Sequence, residues 1–145
     1  MPRVVFIVRL ALGLLLLVTG ALKVAHPESL AAAIAGYRLL PQAAVLPIAV
    51  ALPYLELIFG IYLVLGLFTR IAATLVAVMF LVYAGAIASA VLRHIPANCG
   101  CFGPNDTSTA DWPHVVLDLA LTALAVLVAA RAPGALSLDR RLRIA

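Results

Sequence analysis

"LPYLELIFGIYLVLGLFTRIAATLVAVMFLVYAGAIASAVL", residues 52–92, is apolar over two helix-lengths, broken near its middle by Thr69 and Arg70. A helix rises 1.5 Å per residue, so crossing a bilayer takes about 20 mostly apolar residues. Two runs meet that need here, Ala43–Phe68 and Ile71–Leu92. Only Thr69 and Arg70 separate them, so the sequence predicts a tight antiparallel hairpin of two spanning helices. Open strands are excluded, because their unpaired backbone groups are too costly in lipid.

The rest of the chain extends the pattern. Of 145 residues, 66% are hydrophobic and 11% charged, and the mean hydropathy is +1.17. A soluble domain carries about twice that share of charge. Two further runs qualify as spans, Val4–Val24 before the hairpin and Pro113–Ala130 after it. Their expected fold is all-α: one integral membrane domain over residues 1–145, an antiparallel four-helix bundle with helices at about 4–24, 43–68, 71–92 and 113–130. The first run is long, carries Arg9 and Lys23, and lacks a small-residue cleavage site before His26-Pro27. It reads as a retained helix rather than a signal peptide. Residues 26–42, "HPESLAAAIAGYRLLPQ", start with Pro27 and Glu28 and stop at Pro41. They predict a short helix at about 29–40 lying on the membrane surface.

The net charge of +4 does not point to nucleic acid, because the basic residues sit at the ends of apolar runs. Four spans place both termini and Arg70 on one side, with Arg3, Arg131, Arg140, Arg141 and Arg143. The positive-inside rule makes that side cytoplasmic and puts residues 93–112 outside the cell membrane.

Ionisable residues within spans are expensive and face the bundle interior. Arg9, Gly13, Leu16, Gly20 and Lys23 form one stripe, and its glycines permit close approach of a neighbour. Glu56 and Gly60 share a face after Pro53, where a kink is expected. Counted from the cytoplasmic side, Arg9 lies about 8 Å deep and Glu56 about 18 Å deep. Their side chains meet if the helices are neighbours; the alternative is that Arg9 snorkels to the headgroups. His114 and Asp118 share a stripe on the last helix, with Asp118 expected to orient His114. With Lys23 they fall near the outer end. They read either as interfacial anchors with a Lys–Asp pair or as an electropositive floor that lowers a cysteine pKa.

Both cysteines, Cys99 and Cys101, lie in "NCGCFG", residues 98–103 of the irregular outer loop. A C-x-C spacing sits at the edge of disulfide geometry, and Gly100 is the residue best suited to close so small a ring. A strained, exposed disulfide is the exchangeable kind. It adds little stability, because it closes almost no chain. This makes Cys99 and Cys101 the candidate catalytic residues. The competing readings are a quiet structural bridge and a Cu(I) or Zn clip completed by His94 or His114. No second cysteine pair exists, so the strong four-cysteine zinc signature is absent.

"RLALGLLLLVTGALKV" in the first helix, "YRLLP" in the outer loop, "LPYLELIFGIYLVLG" in the second helix and "CGCFG" before the fourth resemble the MauE family of methylamine-utilisation membrane proteins, within the wider DoxX-like proteins. The resemblance runs from residue 9 to about residue 130 and implies a redox-associated four-helix membrane protein. It further implies a role in maturing the disulfide-rich small subunit of methylamine dehydrogenase alongside a thioredoxin-like partner. Cys99 and Cys101 would be the redox pair, with Arg9, Lys23 and Glu56 as the polar intramembrane positions. Quinone-linked thiol oxidases of the vitamin K epoxide reductase and DsbB types are an analogy, but they carry two cysteine pairs. This chain therefore reads as a shuttle exchanging with a thioredoxin-like or disulfide-containing extracytoplasmic partner. No cofactor is required by that reading, and a quinone is the candidate acceptor. The rival from another class is a non-enzymatic membrane anchor or assembly subunit.

Overall fold

In a computed structural model of the chain, residues 2–100, 107–132 and 136–142 are described. Four helices are long and apolar enough to cross a membrane: α1 (Pro2–Val24), α3 (Gln42–Leu65), α4 (Thr69–Leu92) and α5 (Trp112–Arg131). Two shorter ones complete the described elements, α2 (Pro27–Gly36) and α6 (Leu138–Leu142). The bundle buries small and branched side chains at its centre, among them Leu16, Leu63, Ala73, Val76, Ala125 and Val128. Its outer face is hydrocarbon as well. Ile7, Val18, Leu46, Val82 and Val116 are all exposed, which suits a lipid solvent and no other.

The packing order differs from the hairpin reading. The most extensive interfaces are α1 with α3 and α4 with α5, whereas α3 and α4 touch far less. Small residues explain the α1–α3 seam. A Cβ on Gly13 would lie 2.7 Å from Val64 Cγ2, and one on Gly20 would lie 3.0 Å from the Pro53 carbonyl. Gly60 faces Gly13 across the same seam. The backbones approach as closely as glycine allows. α3 continues through Pro47 and Pro53 as one helix.

The connection between α3 and α4 also sits elsewhere than expected. Thr69 and Arg70 belong to α4, and the turn is Gly66-Leu67-Phe68. Gly66 ends α3 in the left-handed conformation, φ +69, and its N–H bonds the Tyr62 carbonyl. This is the usual glycine stop. The α4 start is capped from 70 residues away: Asp139 accepts from the Phe68 N–H at 2.6 Å and the Thr69 N–H at 2.7 Å. The Asp139 N–H in turn bonds the Gly66 carbonyl at 3.0 Å. So α6, which falls in what the sequence presents as a short basic end, is a plug docked on the α3–α4 turn.

α2 begins at Pro27 and ends at Gly36, earlier than the expected stop at Pro41. Arg38 has φ +52 and turns the chain away from the helix. Pro27 and Glu28 occupy the first turn as anticipated.

Candidate functional site

The site lies at the end of the bundle that carries the cysteine loop. It has three parts: a polar cluster inside the bundle, the backbone around Cys99, and an apolar pocket between them.

Lys23, in the last turn of α1, pairs with Glu56 of α3, with Nζ and Oε1 2.7 Å apart. Their side chains are only 4% and 1% exposed. Two residues not singled out from the sequence complete the cluster. Tyr83 of α4 donates its hydroxyl to Glu56 Oε1 at 2.6 Å, and the Lys23 ammonium lies 5.4 Å from the Tyr83 ring centre. The Thr19 hydroxyl, bonded to the Leu15 carbonyl at 3.0 Å, lies 3.3 Å from Glu56 Oε2. Thr19 stands one turn before Lys23, and Tyr83 is the one tyrosine in its span. Helical spacing from Lys23 would have found the first, and a polar tip in an otherwise apolar run would have found the second.

Glu56 therefore takes its cation from the cysteine end rather than from Arg9. Antiparallel pairing of α1 with α3 sets Gly20 beside Glu56 and Gly13 beside Val64, so Arg9 reaches only the level of Gly66. There its Nη2 donates to the Leu136 carbonyl at 3.3 Å, and its guanidinium lies 5.4 Å from the Phe6 ring centre. Arg9 is 1% exposed. It neither meets Glu56 nor snorkels, but supports the α6 plug.

Asp118 of α5 is buried and lines a cavity of about 20 Å³ with Lys23, Glu56 and Tyr83. Among the described residues its Oδ2 has no hydrogen-bond partner. This volume has room for one water. His114 does not turn to Asp118 as expected. Its Nδ1 lies 2.5 Å from Asp111 Oδ1, and its Nε2 lies 3.3 Å from Ser108 Oγ. Asp111 is the N-cap of α5 and also accepts from the His114 N–H at 3.2 Å. This hydrogen bonding holds the Asp111 carboxyl below its usual pKa of 3.8.

Cys99 is 6% exposed and packs with Tyr37, Ile87, Ala90, Ala97 and Val115. The expectation of an open, solvent-exposed loop is revised at this residue. α2 covers it. Tyr37, just past the end of α2, donates its hydroxyl to the Cys99 carbonyl at 3.0 Å. The Cys99 N–H bonds the Ser108 carbonyl at 3.0 Å, and Asn98 bridges Thr109 in antiparallel fashion. Arg93 bonds the Tyr37 carbonyl and ties the end of α4 to the same point. Gly100 has φ +64, and a Cβ there would lie 2.8 Å from Ala33 of α2. This is a left-handed backbone conformation that favours glycine. Cys101 lies outside the described residues. Among the described residues, no three His, Cys, Asp or Glu side chains gather as a metal would require.

The third part is a pocket of about 330 Å³ between α2, α3 and α4. Its lining includes Lys23, Leu30, Tyr83, Ile87, Cys99 and Gly100 and is almost wholly apolar.

The methylamine utilisation protein MauE family matches residues 1–131. The chain belongs to the MauE family. A methylamine utilization protein MauE from Paracoccus denitrificans is 33% identical over 135 residues, which cover 92% of this chain and 73% of the relative. Another of that name, from Methylophilus methylotrophus, is 34% identical over 133 residues, 89% of this chain and 69% of the relative. No solved structure matches. Membership of the MauE family accords with a multi-pass membrane protein of four apolar spans.

Proposed function

We propose that this MauE-family protein is a membrane thiol–disulfide exchange protein serving methylamine utilisation. The observation that carries the reading is the held backbone at Cys99. Tyr37 and Ser108 fix its carbonyl and amide, and Gly100 beside it takes a left-handed turn that no side chain fits. Such anchoring holds the backbone on both sides of the Cys99 sulfur in one conformation, which supports a specific role for this cysteine rather than an incidental one.

The exchange balances as follows. A partner thiolate attacks one sulfur of a Cys99–Cys101 disulfide; that S–S bond breaks and a mixed disulfide forms. A second partner thiolate attacks the mixed disulfide and leaves the partner oxidised. Cys99 and Cys101 take up two electrons and two protons and become thiols. The partner is an extracytoplasmic thioredoxin-like or disulfide-containing protein. Arg3, Arg70, Arg131, Arg140 and Arg141 gather at the end opposite Cys99, which supports cytoplasmic termini and an outer cysteine loop. Replacing Cys99 and Cys101 together by serine should abolish trapping of the partner as a mixed disulfide. Unchanged disulfide formation in the partner of such cells would sink the reading.

A further inference from the structure

We propose that the pocket between α2, α3 and α4 holds one acyl chain of a phospholipid, with the lipid phosphate at Arg38, and that the chain supports α2 over Cys99. The lining disfavours a polar ligand. Lys23 and Tyr83 border the pocket, yet both direct their polar ends to Glu56. The Tyr37 hydroxyl is taken by the Cys99 carbonyl. What remains is hydrocarbon, with Leu30, Ile48, Leu52 and Ile87 in the wall. Water gains nothing there, because an apolar cavity offers it no hydrogen-bond partner. An empty cavity would forgo the dispersion contacts of its lining, and a methylene chain restores them.

The pocket is open to such a chain. Leu39, Leu40 and Val82 stand exposed on its border, and α3 and α4 pack sparsely. Its depth also suits one. Leu52, in the lining, lies about 15 Å along α3 from the start of that helix at Gln42. One leaflet supplies about half of a roughly 30 Å hydrocarbon core, so the lining runs the depth of one leaflet on the cysteine side.

The surface end carries the charge. Arg38 stands in sequence between Tyr37 and Leu39, two pocket residues, and is exposed. Among the described residues no carboxylate pairs with it. Arg93, by contrast, is committed to Ser89 and the Tyr37 carbonyl. A guanidinium with open donors at headgroup level suits a phosphate. The chain would act on Cys99 through α2, which packs chiefly on α3. Leu30, Ala33 and Ile34 of α2 line the pocket, as do Cys99 and Gly100. Filling the pocket gives α2 a floor. The lipid site goes beyond the thiol exchange proposed above and does not depend on it.

The test uses the full chain carrying Cys101→Ser, delipidated in detergent, with phosphatidylglycerol added back. Native mass spectrometry should find one lipid retained after the others are stripped. Dihexanoyl phosphatidylglycerol, with the same headgroup on short chains, should bind about tenfold more weakly, and inorganic phosphate should not compete. Ala86→Trp, which fills the pocket, should weaken retention about tenfold. Arg38→Gln should weaken it by up to about fivefold, the scale of an exposed ion pair. Val126→Trp, on the exposed face of α5, should bind like its parent. Long-chain lipid should also slow maleimide labelling of Cys99 severalfold, except in Ala86→Trp. Equal binding of long-chain and short-chain lipid, or undiminished retention in Ala86→Trp, would leave no chain in the pocket and overturn the proposal. Labelling of Cys99 that ignores the lipid would overturn it as well. The chain-length comparison needs no change in the pocket, so it decides the matter even if Ala86→Trp fails to fold.

Discussion

Lys23 Nζ and Glu56 Oε1 are 2.7 Å apart in a bundle interior that leaves almost none of either side chain exposed. One charge comes from the end of α1 and the other from the middle of α3, and Tyr83 adds a third helix to the same oxygen. Removing one partner leaves a buried charge without compensation, which costs about 3–5 kcal/mol. Lys23→Met or Glu56→Leu alone should lower stability by that order in denaturant unfolding of the detergent-solubilised protein. The double variant should lose less than either single change. A double variant that loses the sum of both would show that the two groups do not act as a pair.

The glycines separate close packing from mere occurrence in a span. Gly20 has Pro53, Leu57 and Glu56 within 3.2 Å of where a Cβ would sit, whereas Gly85 has nothing within 4 Å. Gly20→Ala should destabilise by about 1–3 kcal/mol through overpacking. Gly85→Ala should be neutral, or stabilise by about 0.5–1 kcal/mol through backbone entropy. Thermal unfolding of both variants checks the contrast, and equal shifts would contradict the α1–α3 seam.

Asp139 predicts where the α3–α4 turn opens. It is buried and accepts from two backbone amides that begin α4. Asp139→Ala should cost about 1–2 kcal/mol, the scale of a lost helix cap. Hydrogen exchange should quicken at Phe68 and Thr69 while the middle of α4 stays protected. A loss of protection spread evenly along α4 would argue against a local cap.

The Asp111 cap gives a pH dependence with a definite sign. Its carboxyl is held below the usual value chiefly by the His114 side-chain hydrogen bond. A depressed folded pKa adds stability that is fully present above the ordinary value of 3.8. That stability is lost as pH falls through the lower folded value. Amide protection at His114 should therefore stay level from neutral pH to mild acid and fail only below the ordinary carboxylate range. His114→Ala should move the midpoint up toward that range, as an NMR titration of the Asp111 carboxyl would report.

Apolar run length gave away the four spans, because lipid leaves helices few alternatives. The observed ends of α1, α4 and α5 fall within two residues of the expected ones. The stripe of Gly13, Gly20 and Lys23 was equally readable, since helical spacing fixes which residues share a face. What stayed hidden depends on register between helices. Whether Glu56 meets Arg9 or Lys23 turns on how α1 slides against α3, and close contact at Gly13 and Gly20 decides it. The reach of Asp139 to Thr69 and the cover that α2 lays over Cys99 are long-range contacts with no local pattern.

That cover makes Cys99 testable on its own. Cys101→Ser leaves a single thiol, placed against Tyr37, Ile87 and Val115. Access to it should require α2 to lift. A membrane-impermeant maleimide should then react slowly with the Cys101→Ser protein. Tyr37→Ala removes both the packed ring and the hydroxyl bonded to the Cys99 carbonyl. Labelling should speed up on the order of tenfold, which corresponds to about 1.4 kcal/mol of easier local opening. Mass spectrometry of the labelled protein over time reads both rates. Fast labelling with Tyr37 in place would mean that α2 does not shield this sulfur, and a partner thiol could then reach Cys99 without any movement of the helix.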